Sequence, residues 1–470
     1  MADLPADPHS PISADVLISG ATLVTMDVER RVISDGALAI RADRIVSVGK
    51  RDTVERAVSA KRRLAAERFV ATPGFVDAHV HITGDPLTRG FARGAPGEGG
   101  PEKMTQWVIP IFKGHAAGDE SISAKWAALS MLRQGTTTFL EAGTVSHLEA
   151  VMEALEQTGV RGRVGQWVEG RSGKGAADRL AASRAAIATL EWEVGRWPQK
   201  AGSRLAAWPI LVGHSTNSDE VWRAAAALAR EHGLGVSAHM SPRASDPAWF
   251  LAQTGRRPLE HLEAIGVMGP ELCLTHLAQI DETELEILVR TGTNAICCPQ
   301  AALLGGFGLS RRGLFPEMLA RGVNVALGSD GLTAPILESG RLLAGLFRDA
   351  REDEGLFGAA QILEMTTCNG AKALRLEDEI GSLAVGKKAD IVLHDADLLQ
   401  WGPLFDPALQ IAFSASAMGV HSVFVDGVQV IEDGRSTLVD EAELIAEGRR
   451  AGAAVIERTG LPGQPTWPIL

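Results

Sequence analysis

Residues 72–81 read TPGFVDAHVH, and this stretch decides the fold. Side chains alternate faces along a strand, so His79 and His81 share one face while Val76, Ala78 and Val80 share the other. An apolar body with a polar tip is what a parallel strand shows when its C-terminal end opens onto a catalytic surface. Working outward, seven further segments have the same texture: TTTFLEAGT (136–144), RVGQWVEG (163–170), AAWPILVGHS (206–215), LGVSAHMS (234–241), LCLTHLA (272–278), NAICCPQA (294–301) and NVALGSDG (324–331). Helical stretches such as EVWRAAAALAREHG and DETELEILVRTG separate them. Eight such units across residues 71–376 predict an α/β fold, a (β/α)8 TIM barrel. The flanks differ. Residues 1–70 and 377–437 alternate short strands with turns and predict one small β-sandwich built from both chain ends, while 438–470 reads as a C-terminal helix and tail.

The bulk numbers narrow the function classes. The chain has 470 residues, 45% hydrophobic and 22% charged, as in an ordinary globular protein. A net charge of −12 argues against nucleic acid or an anionic membrane as a partner, because phosphate contacts need clustered Lys and Arg. No apolar run reaches the roughly 20 residues of a spanning helix. The first residues lack an export signal, and four cysteines make no disulfide framework, so a cytoplasmic location is expected. Tyrosine is absent, which leaves proton transfer to His, Asp, Glu, Lys or Cys. The expected partner is a small-molecule substrate, and a homo-oligomer is the expected assembly.

Chemistry gathers at the strand ends. His239 ends the fifth strand, His276 the sixth and Asp330 the eighth. Together with His79 and His81 they offer imidazole nitrogens and a carboxylate to one divalent metal per chain, with zinc the first choice ahead of cobalt, iron or manganese. Such an ion brings the pKa of water from about 16 toward 7. The small residues Ser237 and Gly328 leave room inside the ring. Asp330 is the natural carrier of the water proton. Adjacent residues face apart, so Cys297 and Cys298 cannot both reach one ion and read as buried packing.

These residues resemble the amidohydrolase superfamily, in its branch of chlorohydrolases and cytosine- or guanine-type deaminases. The resemblance rests on TPGFVDAHVH, GTTTFLEAG (135–143), the His239 and His276 strand ends, CCPQAALLGGFG with ARGVNVALGSDG, and CNGAKALRLEDEIGSLAVGKKADIVLHDAD (368–397). It implies metal ligation by His79, His81, His239 and Asp330, and contact of His276 with water or substrate. The fourth strand ends in VGHS, without a lysine or glutamate to bridge a second metal. The branch's deaminases carry a Glu three residues beyond the fifth-strand His, where this chain has Pro242. That departure is similar to the phenylurea and molinate hydrolases.

The reading that follows is a hydrolase cleaving a C–N or C–S bond at a carbonyl-type carbon (amide, urea, carbamate or thiocarbamate) of a small apolar molecule. Asp330 and His276 are its catalytic groups. His214, at the fourth strand end, together with Trp107, Met240, Leu303 and Phe307, is expected to bind substrate, part of this wall coming from the Gly- and Pro-rich segment 84–115. Glu141 and Glu169, at strand ends two and three, either orient ligands or form salt bridges at the rim. The alternatives are a deaminase or dechlorinase of a purine, pyrimidine or triazine, and an inactive amidohydrolase-like scaffold.

Overall fold

The computed structural model describes residues 11–91, 104–200, 202–213, 215–331, 335–463 and 467. All eight expected units form strands. β6 (Phe75–Val80), β7 (Thr136–Glu141), β8 (Arg161–Val164) and β9 (Leu205–Ala207) make one parallel arc. A second arc consists of β10 (Ile210–Leu211), β11 (Val236–Met240), β12 (Leu272–His276), β13 (Asn294–Cys297) and β14 (Val325–Leu327). β9 and β10 are two halves of the fourth unit, interrupted at Trp208-Pro209, where proline removes a ladder donor. The last unit returns to the first through a parallel bridge between Val80 and Asp330. The ring is therefore two arcs meeting at Trp208-Pro209 and at Asp330, with hydrogen bonding uneven around it.

The helices between strands start and stop where local chemistry dictates. Helix Asp219–His232 begins where the Ser218 hydroxyl accepts the Val221 N–H, and ends at Gly233 with φ 67°. Helix Glu282–Thr291 is capped by Asp281 and closed by Gly292 in the same way. Their apolar faces join the strands' outward residues in the main core.

Both chain ends enter one continuously hydrogen-bonded nine-stranded sheet. The N-terminal part supplies β1 (Ile12–Val24), β2 (Val32–Arg41), β3 (Arg44–Lys50), β4 (Val58–Ala65) and β5 (Phe69–Pro73). The C-terminal part supplies β15 (Ile391–Asp395), β16 (Val420–Val425), β17 (Val428–Glu432) and β18 (Arg435–Ser436). The antiparallel ladder of β5 with β15 joins the two halves. The C-terminal helix, Glu441–Thr459, packs on helix Ala117–Leu132.

A buried ionic knot fastens sheet to ring. Arg161 on β8 reaches Asp390 at 3.1 Å and Asp426 at 2.5 Å, and Lys388 bridges Asp426 and Asp43. Removing Arg161 strands the buried Asp390 carboxylate without solvent, which costs about 3–5 kcal/mol. Arg161→Ala should lower stability by about that amount in chemical denaturation, and a loss below about 1 kcal/mol would show that the knot carries no weight. His394 offers a pH test. It is buried against Thr72 at 3.1 Å, and burial pulls its pKa from 6.5 down to about 3. The unfolded chain binds this proton from about pH 6.5 downward while the folded chain resists, so stability falls as pH drops from about 6.5 toward 3. His394→Gln should flatten that part of the stability–pH curve.

Candidate metal centre

The strand ends bring four histidines and one aspartate together. The rings of His79, His81, His239 and His276 lie with centroids 4.5–5.9 Å apart. Nε2 of His79 stands 3.1 Å from Nε2 of His239. The Asp330 carboxylate lies between two rings, 3.5 Å from His81 Nε2 and 3.6 Å from His276 Nε2. Burial lowers the pKa of all four histidines, to about 3 for His239, so at neutral pH they present lone pairs rather than charge. Burial also pushes the Asp330 carboxyl up, but the surrounding histidines and the Gly331 N–H outweigh it and hold Asp330 below its ordinary value. Converging imidazole lone pairs with one carboxylate fit a first-row divalent cation.

Hydroxyls behind the rings fix their orientation. Thr144 Oγ1 donates to Glu141 Oε1 at 2.7 Å, so its lone pairs accept from His81 Nδ1 at 3.2 Å. That sets the tautomer and leaves His81 Nε2 facing the centre. Thr275 Oγ1 lies 3.1 Å from His79 Nδ1 and holds that ring from behind. Glu141 is fully buried and accepts the Gly143 and Thr144 N–H groups; burial, reinforced by nearby Glu120, pushes it up to about 7. Of its two sequence readings, ligand orientation through Thr144 is the one the structure matches. Glu169 has the other fate: it accepts from Trp167 Nε1 at 2.9 Å and pairs with Lys113 at 3.3 Å.

The predicted substrate wall divides. Phe307 lies 5.3 Å from the His276 ring. Met240 does not line the centre: His239 takes the inner face of β11, so its neighbour must point outward, and Met240 is buried in the surrounding core. Leu303 is 54% exposed, because helix Pro299–Gly305 turns Ala302 inward and the next side chain out. Trp107 is buried beside Phe91, and Phe112 of the same segment lies 5.7 Å from the His81 ring. His214 lies outside the described residues.

Cys297 and Cys298 are both buried in the core, as the packing reading expects. Cys298 in addition places its sulfur within 4.8 Å of a His79 nitrogen and an Asp330 oxygen. A Cβ on Gly328 would come within 2.9 Å of that sulfur and 2.7 Å of the His79 Cβ, which is why a glycine stands there.

Phe112 belongs to the Gly- and Pro-rich segment that the sequence places near substrate, whereas Thr144 and Thr275 were not singled out as parts of the site. Each supports a histidine on another strand, and only strand register reveals them. Losing a hydroxyl of this kind costs roughly 10- to 100-fold in metal affinity. Thr144→Val and Thr275→Val should each weaken zinc retention by about that factor against a competing chelator, with the circular dichroism spectrum unchanged. Retention equal to the parent would show that these hydroxyls do not support the ligands.

Among proteins of known activity, a 5-methylthioadenosine/S-adenosylhomocysteine deaminase of Symbiobacterium thermophilum is 32% identical over 455 residues, spanning 94% of this chain and 99% of that one. The protein of the same description from Nitratidesulfovibrio vulgaris is 28% identical over 452 residues, spanning 95% and 99%. An adenosine deaminase from Xanthomonas campestris, solved with bound zinc, superposes with a TM-score of 0.84 at 24% identity over 95% of this chain and all (100%) of that one. An atrazine chlorohydrolase from Arthrobacter aurescens, complexed with zinc, gives 0.81 at 22% identity over 94% and 100%. These superpositions show a shared TIM-barrel-type α/β fold. The amidohydrolase family model matches residues 70–430, and the chain belongs to that family, in its chlorohydrolase- and deaminase-like branch, as a metal-dependent hydrolase of carbon–nitrogen bonds.

Proposed function

We propose that this enzyme hydrolytically deaminates an amino-substituted N-heterocycle of the purine type, with one divalent metal, zinc by preference, held by His79, His81, His239 and Asp330. The observation that carries the reading is end-to-end similarity to 5-methylthioadenosine/S-adenosylhomocysteine deaminases together with the convergence of those four residues. This inverts the order of the sequence reading, in which a carbonyl-type carbon came first and heterocycle deamination second.

A divalent ion at this centre would acidify water toward neutral pH. The chain's own groups do the rest. Asp330 offers a carboxylate within reach of both His81 and His276 and is placed to accept the water proton. His276, with its Nε2 toward Asp330 and its ring edge against Phe307, faces the side from which substrate enters and donates toward the atom that gains charge. Phe112, Trp167 and Phe307 supply flat apolar surfaces suited to a planar ring.

The leaving amine and ring nitrogen also need a proton, and Pro242 cannot supply one. Glu169 is engaged with Lys113 and Trp167. Asp246 is buried near His276, where it accepts from Arg243 N and Ser245 Oγ at 3.1 Å. Pro242 is also the specific observation favouring the second reading, hydrolysis of a urea, carbamate or thiocarbamate, in which charge develops on oxygen and no ring nitrogen is protonated.

Ammonia release decides between them. With zinc-reconstituted protein, at least one of S-adenosylhomocysteine, 5-methylthioadenosine and adenosine should be turned over with kcat/KM above about 10⁴ M⁻¹s⁻¹, and phenylureas and thiocarbamates far more slowly. The reverse ranking would overturn the deaminase reading. Asp330→Asn should cost about 10²-fold or more in kcat while the protein stays folded, and near-parent turnover would remove Asp330 from the chemistry.

A further inference from the structure

Arg243 stands at the mouth of the centre with its charge unspent. Among the described residues its guanidinium has no carboxylate partner, and it rests on the face of Phe307, 4.8 Å from the ring centroid. Phe307 in turn sets its ring at 81° to His276. A cation is thus held one aromatic ring away from a catalytic histidine.

The holding is built rather than incidental. Ser241 adopts φ 52° and Pro242 follows, so β11 ends in a fixed turn that carries Arg243 over the site. The Arg243 N–H donates to Asp246 at 3.1 Å, which pins the backbone and leaves the side chain to point elsewhere. On the other side, Gln279 Nε2 donates to the Phe307 carbonyl at 2.6 Å, and Arg312 donates to Gln279 Oε1 at 3.1 Å. The platform under the guanidinium is therefore anchored from two elements. A half-buried guanidinium that is stacked, backbone-anchored and lacks a carboxylate presents a planar fork of N–H donors, which matches a planar oxyanion edge better than a point charge would.

We propose that Arg243, on its Phe307 platform, is a specificity-determining residue that binds a planar oxyanion on the substrate, either a carboxylate or the ionised oxo edge of an N-heterocycle. This deepens the proposed function by naming a feature of the substrate. The hydrolysed carbon faces His276 and Asp330, and the oxyanion sits toward Arg243. A neutral planar ring with no such edge fills the same pocket without engaging the guanidinium.

Binding tests this without turnover, so its outcome is separate from that of the deaminase assay. Zinc-loaded protein is titrated calorimetrically with benzoate, with barbiturate and with neutral benzamide, the first two distinguishing a carboxylate from a ring oxyanion. At least one of the anions should bind more tightly than benzamide. Arg243→Gln should weaken that anion by about 10-fold or more, the loss of a charge-assisted pair, and leave benzamide unchanged. Arg243→Lys should restore only part of the affinity, because an ammonium lacks the fork. Phe307→Leu, which keeps the charge but removes the platform, should fall between parent and Arg243→Gln. Parent-like anion binding in Arg243→Gln would place the anion on the metal instead and overturn the proposal. Equal weakening of benzamide would do the same, since the residue would then be shaping the pocket and not reading charge.

Discussion

Asp330 donates its backbone N–H to the His79 carbonyl at 2.9 Å and accepts the His81 N–H at 3.2 Å. This seam is both the closure between the last and first units and the device that places a carboxylate beside two imidazoles. It requires Asp330 at φ 62°, a conformation that costs about 1–3 kcal/mol for a residue with a Cβ and persists only where neighbours enforce it. The enforcement is visible one layer below. Asp77 accepts the Ser329 N–H at 3.0 Å and the His79 N–H at 3.2 Å, tying the same two segments together again. Burial pushes Asp77 up to about 7, a cost the two backbone donors only partly offset. Gly328 completes the arrangement by letting the two segments approach more closely than a side chain allows.

The opposite side of the centre is stitched by similar means. His276 and Leu277 have φ of 84° and 44°, and Ser241 has 52°. Leu277 N donates to the Met240 carbonyl and Gln279 N to that of Ser241, so two strained exits brace each other. Strain gathered at β11, β12 and the end of β14 is what pre-positioned side chains require, since relaxed exits would let the rings swing apart.

How much of this was legible in the sequence follows from what kind of contact is involved. Strand-end identity was legible, because period-2 alternation and a polar tip are local properties, and His79, His81, His239, His276 and Asp330 all meet as the pattern required. Met240 could have been placed by the same alternation that placed His239, and was misassigned because apolar character was allowed to override the face. Leu303 was misplaced because a short helix following β13 sets which residue turns inward, and its phase is not readable from composition. Thr144 and Thr275 were illegible for a different reason. Each supports a histidine on another strand, and the pairing depends on ring register, which emerges only when the arcs assemble. The sheet built from both chain ends was foreseen, but its continuity rests on the long-range β5–β15 ladder, which no local signal carries.

Two halves of one site are thus built on different physical terms. Around His79, His81 and His239 the chain excludes charge: burial keeps the imidazoles neutral, hydroxyls set the tautomers, and the one carboxylate is shared between rings. Around His276 it tolerates charge, with Asp246 and Arg243 both acting on that ring from the turn after β11. The first half is what the reaction demands of any substrate, and its support comes from backbone seams that side-chain replacement leaves intact. The second half rests on one turn and one aromatic ring. A substitution of Arg243 or Phe307 leaves the seam that holds the histidines in place, because these residues take no part in the Asp330–His79–His81 hydrogen bonds. The seam that holds the histidines is therefore distinct from the turn at Pro242, which carries Asp246 and Arg243 toward His276.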